Sequence, residues 1–348
     1  MRKLRGALLG AGNIALMAHA PQWVADEILR GAVEVVGVAD LAADNRRSAR
    51  ALFPGARFYE NAQELLERED LDFCDICTPP FTHRALVETA AARGVAVVCE
   101  KPMAPTLDDA VAMARAVREA RLVFQPCHQY HYAPQWQVVR QLMPAIGRVH
   151  LAQYRVQRLG ANPGNPHWRP QWRTESGLAG GGILVDHGAH IFYQLRSLLG
   201  EPLRVQATTR TLRHHSYGVE DTAMVTLDYG GCLAEVMLTW AGHRREIGYR
   251  FVGEHGEIAG DEERVTLFAE QTREVPCGDG LSAGSSHAGW YAPLLRDFTR
   301  RVRSGDTSGD GLVEAIHVTR LIERAYESAV AGRALPLLAP GEAADRVG

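Results

Sequence analysis

Leu4-Arg5-Gly6-Ala7-Leu8-Leu9-Gly10-Ala11-Gly12-Asn13-Ile14-Ala15 is the stretch on which the fold turns. The run from Leu4 to Leu9 reads as a short buried strand that stops at Gly10. Gly10 to Ala15 is then G-x-G-x-x-A, a string that carries weight only between a strand and a helix. The sequence meets that condition. Asn13 to Leu29 reads as helical, with Pro21 bending or restarting it because proline has no N–H to give. In that setting Gly10 permits the tight turn and Gly12 lets the backbone approach a pyrophosphate. Asn13 and Ile14 open a helix whose N-terminus favours an anion, and Ala15 packs helix close to strand. The bland alternative is an ordinary glycine turn.

Working outward, the next apolar run is Val33 to Ala39, and it ends at Asp40. A carboxylate there would bind the adenosine ribose hydroxyls and repel a 2′-phosphate, which favours NAD over NADP. Arg46 and Arg47 on the following helix would soften that preference, and a helix N-cap is the other reading of Asp40. Further strands are expected at Phe73–Cys77, Val95–Cys99 and Leu122–Pro126. Helices are expected at Ala42–Leu52, Asn61–Arg68, Thr82–Arg93 and Leu107–Arg121. Short apolar strands alternating with amphipathic helices make an α/β, doubly wound parallel sheet, a Rossmann domain over residues 1–124. After that the pattern changes. Strands are expected at Arg148–Arg158, Leu203–Arg213, Asp221–Tyr229, Cys232–Trp240, Gly248–Gly253 and Arg264–Ala269, with helices at Ile183–Leu199, Tyr291–Val302 and Leu312–Ala331. Residues 125–338 thus read as an α+β domain with a large, open, mainly antiparallel sheet, and 339–348 as a frayed tail.

The chain has 348 residues, ample for two domains at ~150 each. Its hydrophobic fraction of 46% and charged fraction of 23% are those of a globular protein. A net charge of −3 offers no basic face to nucleic acid. No run approaches the ~20 apolar residues of a membrane span. Six cysteines are too few for a disulfide framework, so the compartment reads as reducing cytoplasm. Cys74 and Cys77 form a lone C-x-x-C inside a strand, a buried structural pair more readily than a metal or redox site.

Three further motifs join the glycine loop: Thr78-Pro79-Pro80-Phe81-Thr82-His83, Glu100-Lys101-Pro102, and Gly180-Gly181-Gly182-Ile183-Leu184-Val185-Asp186-His187-Gly188-Ala189-His190. In this order, with Glu220-Asp221 and the Gly253-Glu254-His255-Gly256 turn, they resemble the glucose–fructose oxidoreductase, inositol dehydrogenase and rhizopine catabolism family (Gfo/Idh/MocA) over nearly the whole chain. The resemblance implies NAD(P)-dependent hydride transfer on a sugar, cyclitol or related polyol. It makes Lys101, Asp186 and His190 the catalytic residues, with a cis Lys101–Pro102 bond. It puts Thr78, Pro79, His83 and Glu100 beside the cofactor, and pairs second-domain sheets face to face in homodimers or homotetramers. The residue chemistry agrees. Imidazole at His190 suits proton removal near neutrality, and Lys101 suits a developing alkoxide. Asp186, four residues before His190, would orient that imidazole or bind a neighbouring hydroxyl.

Some residues depart from the family pattern. His131 and Tyr132 stand where an Arg-Phe pair is usual, Tyr193 where an aspartate is usual, and His187 adds an imidazole beside Asp186. His128, Tyr130, Trp168, Arg169 and His187 are candidates for substrate contact, with Lys101. Trp168 and Trp172, in the long loop from Gly160 to Gly182, are either sugar platforms or loop anchors. The histidines could instead assemble a metal site with Asp186, but a metal-free site is expected. Two other functions compete: a lyase or glycosidase acting through transient oxidation and elimination, and a nucleotide-sensing regulator without catalysis.

Overall fold

The computed structural model describes residues 2–278, 280–282, 287–308 and 311–338. The expected frayed tail at 339–348 lies outside them. Strands β1 (Leu4–Leu9), β2 (Val33–Ala39), β3 (Arg57–Tyr59), β4 (Phe73–Ile76), β5 (Ala96–Cys99) and β6 (Phe124–Pro126) form one sheet in the order β3-β2-β1-β4-β5-β6. Every pairing is parallel. Parallel strands need helical crossovers that bury both faces, and two apolar cores flank the sheet accordingly. Cys74 enters one core and Cys77 the other, so the C-x-x-C splits across the sheet and all six thiols are free. Strand order reverses between β1 and β4. The crevice beyond their carboxyl ends is where such sheets bind ligands, and both Gly10 and Thr78 stand there.

The helix after the glycine loop is not one rod. Ala15–His19 is a π-helical turn, a helix restarts at Ala20–Ala25, and another runs Glu27–Ala32. Pro21 falls in the first turn of the restart, where its missing N–H costs nothing. The wide π turn also re-aims His19 inward, and it is wholly buried.

The second sheet comprises β7 (Val149–Gln157), β8 (Arg204–Arg210), β9 (Thr222–Asp228), β10 (Leu233–Thr239), β11 (Glu246–Gly253), β12 (Glu257–Gly260), β13 (Arg264–Phe268), β14 (Arg273–Pro276) and β15 (Leu335–Pro336). Its order is β14-β13-β12-β11-β7-β10-β9-β8-β15. Only β7 and β10 pair in parallel; the other pairings are antiparallel. The inner face packs on helices Pro134–Ile146, Gly188–Leu199 and Gly311–Ala331. The sequence pattern does not anticipate the first of these helices, nor β3, β12, β14 and β15. The closing helices also reach back to the first sheet: Leu294, Leu295 and Phe298 enter one of its cores, and Leu312, Ala315 and Ile316 the other.

Along β10 and the residue just past it, the apolar side chains divide by face. Val236, Leu238 and Trp240 are wholly buried, and only Leu233 faces outward, 51% exposed. The period of two decides it, since these three occupy even positions and Leu233 an odd one.

Candidate active site

A cavity of about 570 Å³ runs from the carboxyl ends of β1 and β4 to the second domain. At one end lie Gly10, Gly12, Asn13, Ile14, Asp40, Thr78 and Pro79. Gly10 has φ +89°, and a Cβ there would meet Thr78 Cγ2 at 2.8 Å, so only glycine makes this turn. A Cβ on Gly12 would meet nothing within 4 Å, which leaves bare backbone facing open space of the kind a pyrophosphate fills. Asp40 Oδ2 accepts from the Ala11 N–H at 2.7 Å, and Oδ1 accepts from Ala42 N and Asn45 Nδ2. Asp40 is therefore not a helix N-cap; that position is Ala42. Arg46 is turned onto the carbonyls of Asp40 and Leu41.

The other end joins both domains. Glu100-Lys101-Pro102 follows β5, and the Lys101–Pro102 bond is cis. Lys101 Nζ donates to the Asp186 carbonyl at 2.9 Å and to Asp186 Oδ1 at 3.1 Å. The glycine triplet before Asp186 is dictated by packing: a Cβ on Gly181 would strike Tyr326 Oη at 2.1 Å, and one on Gly182 the Glu220 carbonyl at 1.9 Å. The Glu220 carboxylate accepts from Gly182 N and Leu184 N and from Tyr326 Oη. It thereby satisfies the free N–H groups of the short helix Ile183–Asp186. Asp221 beside it takes the N–H groups of Leu212, Arg213 and His214.

The expected single helix Ile183–Leu199 is broken at His187, so Asp186 and His190 are not an unbroken i,i+4 pair. The imidazole that Asp186 touches is His187, with Nδ1 3.3 Å from Oδ2. The His190 ring packs at a 37° tilt against that of Tyr130 with centroids 4.4 Å apart, and its Nδ1 has no partner among the described residues. Burial acting alone would raise the Asp186 pKa, but the charge of Lys101, then His187 and Arg173, holds it well below the usual carboxylate range. Burial first, then the charge of Lys101, pushes His190 well below its ordinary value. Burial likewise lowers His187, against the pull of Asp186. The site thus couples an ionised carboxylate and a lysine to two neutral imidazoles.

Of the residues named from the sequence, Glu100, Lys101, Tyr130, Trp168, Asp186, His187 and His190 line the cavity, and Trp172 joins them. Four named residues do not. His83 braces the wall, its nitrogens 3.0 Å from the Met103 carbonyl and 2.8 Å from that of Thr78. Ala15 is wholly buried and acts only through packing. His128 lies behind the wall, stacked on Tyr193 at 4.1 Å, and burial lowers its pKa to about 3. Arg169 turns away toward Glu175 at 3.5 Å. The sequence reading missed Arg158, Arg173, Arg245, Gln129, Trp290 and Tyr291, all of which face the cavity.

It also missed a buried network that reaches the cavity wall at Glu100 and Tyr291. His19 Nδ1 lies 3.0 Å from both Asp75 oxygens and Nε2 3.0 Å from Glu100 Oε1. Trp23 Nε1 donates to Asp75, and Tyr291 Oη to Glu100. The clusters with metal-ligand composition among the described residues are those around His19, and both of its nitrogens are occupied by carboxylates.

Residues 4–128 match the profile of an oxidoreductase family with an NAD-binding Rossmann fold, and residues 136–259 match the GFO/IDH/MocA C-terminal domain. The chain belongs to the Gfo/Idh/MocA family and is an NAD(P)-dependent oxidoreductase. It is 29% identical to a D-apiose dehydrogenase of Paraburkholderia graminis, over 97% of this chain and 90% of the relative. It is 31% identical to a 1,5-anhydro-D-fructose reductase of Ensifer adhaerens, over 74% of this chain and 75% of that one. The solved structure of levoglucosan dehydrogenase in complex with NADH and L-sorbose superposes with a TM-score of 0.82 at 21% identity, covering 97% of this chain and 99% of that one. No helix among the described residues is long and apolar enough to cross a membrane.

Proposed function

We propose that the enzyme oxidises a hydroxyl of a sugar, cyclitol or sugar derivative with NAD, or reduces the corresponding carbonyl. The observation that carries this reading is the convergence of Lys101, Asp186, His187 and His190 on the cavity that begins at Gly12 and Asp40. Bound nicotinamide supplies the hydride acceptor or donor. The chain's own groups handle the proton and the charge. Lys101, held by two oxygens of Asp186, directs positive charge at the reacting oxygen and stabilises alkoxide as it develops. His190, neutral and facing the cavity, takes the hydroxyl proton in oxidation and returns it in reduction. Trp168 and Trp172 offer flat faces to the C–H side of a sugar ring. The names of the relatives, an apiose dehydrogenase and an anhydrofructose reductase, support a sugar substrate.

NAD is favoured over NADP by the Asp40 carboxylate at the ribose end. A 27% identical relative, a D-xylose 1-dehydrogenase (NADP(+)) of Haloferax volcanii, is NADP-dependent by name, so the family admits both. The free thiols fit a reducing cytoplasm. The outer sheet face, where Leu151, Met224 and Leu233 are exposed and Leu233 pairs with Leu151, suits a homodimer or homotetramer through that sheet. No nucleic acid or membrane partner is called for. The decisive test is stoichiometric NADH release from a panel of sugars and polyols. Product formed without net NADH would replace this reading with the transient-oxidation lyase.

A further inference from the structure

At the end of the cavity that holds Lys101, the walls are strongly cationic. Arg158, Arg173 and Arg245 all line it beside Lys101. Arg158 is 2% exposed. Its Nη1 donates to the carbonyls of Gln157 at 2.8 Å and Glu246 at 3.2 Å, and its Nε has no partner among the described residues. Arg245 donates from Nε to the Ser282 carbonyl at 2.6 Å and from Nη1 to Asn162 Oδ1 at 3.4 Å. Arg173 Nη1 donates to the Asn162 carbonyl at 3.4 Å. Every one of these acceptors is neutral.

The carboxylates nearby are already engaged. Asp186 lies 3.9 Å from Arg173 Nε but is paired with Lys101 at 3.1 Å and His187 at 3.3 Å. Glu262 lends Arg158 some negative potential, yet its oxygens accept from the backbone N–H groups of Ile247 and Ser282. The charge of Glu100 is met by His19. Among the described residues, neither Arg158 nor Arg245 has a carboxylate within 4.0 Å. A buried guanidinium without a counter-charge is costly, and burial accordingly lowers the Arg158 pKa. A neutral sugar would leave that cost standing. An anion would remove it, and a planar carboxylate matches the guanidinium fork.

We propose that the substrate is an acidic polyol, an aldonate or uronate, whose carboxylate sits on Arg158 and Arg245 with Arg173 at its flank, while a hydroxyl of the same molecule meets Lys101 and His190. This rests on the oxidoreductase reading above and departs from the neutral sugars in the relatives' names.

The test uses the full chain saturated with NAD+. D-gluconate, D-galactonate, D-glucuronate and D-galacturonate are titrated by calorimetry beside D-glucitol, galactitol, D-glucose and D-galactose, with D-glucose 6-phosphate as a phosphate arm. NADH is followed in parallel. At least one acid should bind about tenfold or more tightly than its neutral counterpart. Arg245→Gln should erase that advantage, Arg245→Lys should restore part of it, and NAD+ affinity should stay constant. Arg173→Gln, at a half-buried position, should weaken the acid to a smaller degree. Neutral sugars binding as tightly as the acids, a preference for the phosphate, or an acid preference untouched by Arg245→Gln would each overturn the proposal. If only neutral sugars yield NADH, the dehydrogenase reading stands and the acidic substrate falls. If an acid binds through Arg245 but none yields NADH, the anion site stands and the dehydrogenase reading falls.

Discussion

His19 and His190 are both buried histidines, 0% and 7% exposed, yet their surroundings drive them to opposite charge states. Burial pulls both pKa values down. At His19 the Asp75 charge and hydrogen bond outweigh that pull, and the imidazole is held well above its ordinary value. The carboxylate of Glu100, in turn, is kept below its usual range against its own burial by His19 and Lys101. At His190 the neighbours are Lys101 and His187, which add to the pull of burial. The first cluster is a closed imidazolium between two acids. The second is a neutral base beside a cation, open to a cavity. What separates scaffold from chemistry here is the sign of the neighbours and not the residue type. The two are joined through Glu100, whose Oε2 accepts from the Lys101 N–H at 3.0 Å.

The sharpest way to break this comparison is at its two cations. Lys101→Ala should lower kcat about 10²–10⁴-fold, because the reacting oxygen loses its charge partner. NAD+ affinity should remain, since Lys101 is at the far end of the cavity from Asp40. Near-normal turnover on the true substrate would remove Lys101 from the mechanism. His19→Ala should act on stability first. It leaves the carboxylates of Asp75 and Glu100 buried and facing each other, and breaking a buried pair in this way costs about 3–5 kcal/mol. Urea unfolding should show that loss, and an unchanged midpoint would mean the cluster is not ionised as described.

The two clusters were unequally visible in the sequence. Lys101, Asp186 and His190 sit inside recognisable strings, and the glycines around them are explained by contacts that no other residue tolerates. His19, Asp75 and Glu100 come from three separate segments and meet only because β1, β4 and β5 are neighbours. His19 also sits in a π turn that no helical period signals. Arg158 and Arg245 escaped for a related reason. One ends a strand, the other precedes one, and strand-flanking arginines ordinarily read as solvated. The helix Pro134–Ile146 was hidden by Pro134 and Pro144, although the first merely occupies a helix start. His128 was expected at the site from the family pattern and Arg169 from the long loop it shares with Trp168, and packing turned both away.

A smaller effect sharpens the contrast through pH. His190 faces Lys101, His187, Asp186, His128 and the Tyr130 ring, and its pKa is lowered. The base is therefore already neutral at neutral pH. Oxidation should show no His190 limb around ~6.5, the unperturbed value; its falling limb should lie at more acidic pH and vanish in His190→Ala. Linkage gives the same sign for stability. A lowered histidine pKa leaves the unfolded chain binding more protons as pH drops through ~6.5, so His190 and His128 weaken the fold there. His19 does the reverse: its pairing is fully present below ~6.5 and is lost as pH rises through its raised folded value. A rate limb centred at or above ~6.5 and traced to His190 would mean that Asp186, not Lys101, dominates its field.

The smallest effect belongs to the opposite end of the cavity, where neither cluster reaches. Asp40 binds Ala11, Ala42 and Asn45 and still lines the cavity, so its carboxylate both shapes the glycine loop and sets the local charge. Asp40→Asn removes the charge and keeps one acceptor oxygen, enough for either the Ala11 N–H or the Ala42 and Asn45 donors. It should narrow the preference for NAD over NADP by about tenfold, roughly the ~1.4 kcal/mol of one lost charge repulsion, and leave kcat with NAD nearly unchanged. Arg46, already at the carbonyls of Asp40 and Leu41, stands ready to meet a 2′-phosphate once the carboxylate is neutral. Arg46→Ala in the Asp40→Asn background should therefore give back part of the NAD preference. Titration of both cofactors against wild type and the two variants measures this directly. Wild-type enzyme that binds NADP as tightly as NAD would show that the Asp40 carboxylate shapes the loop without selecting the cofactor.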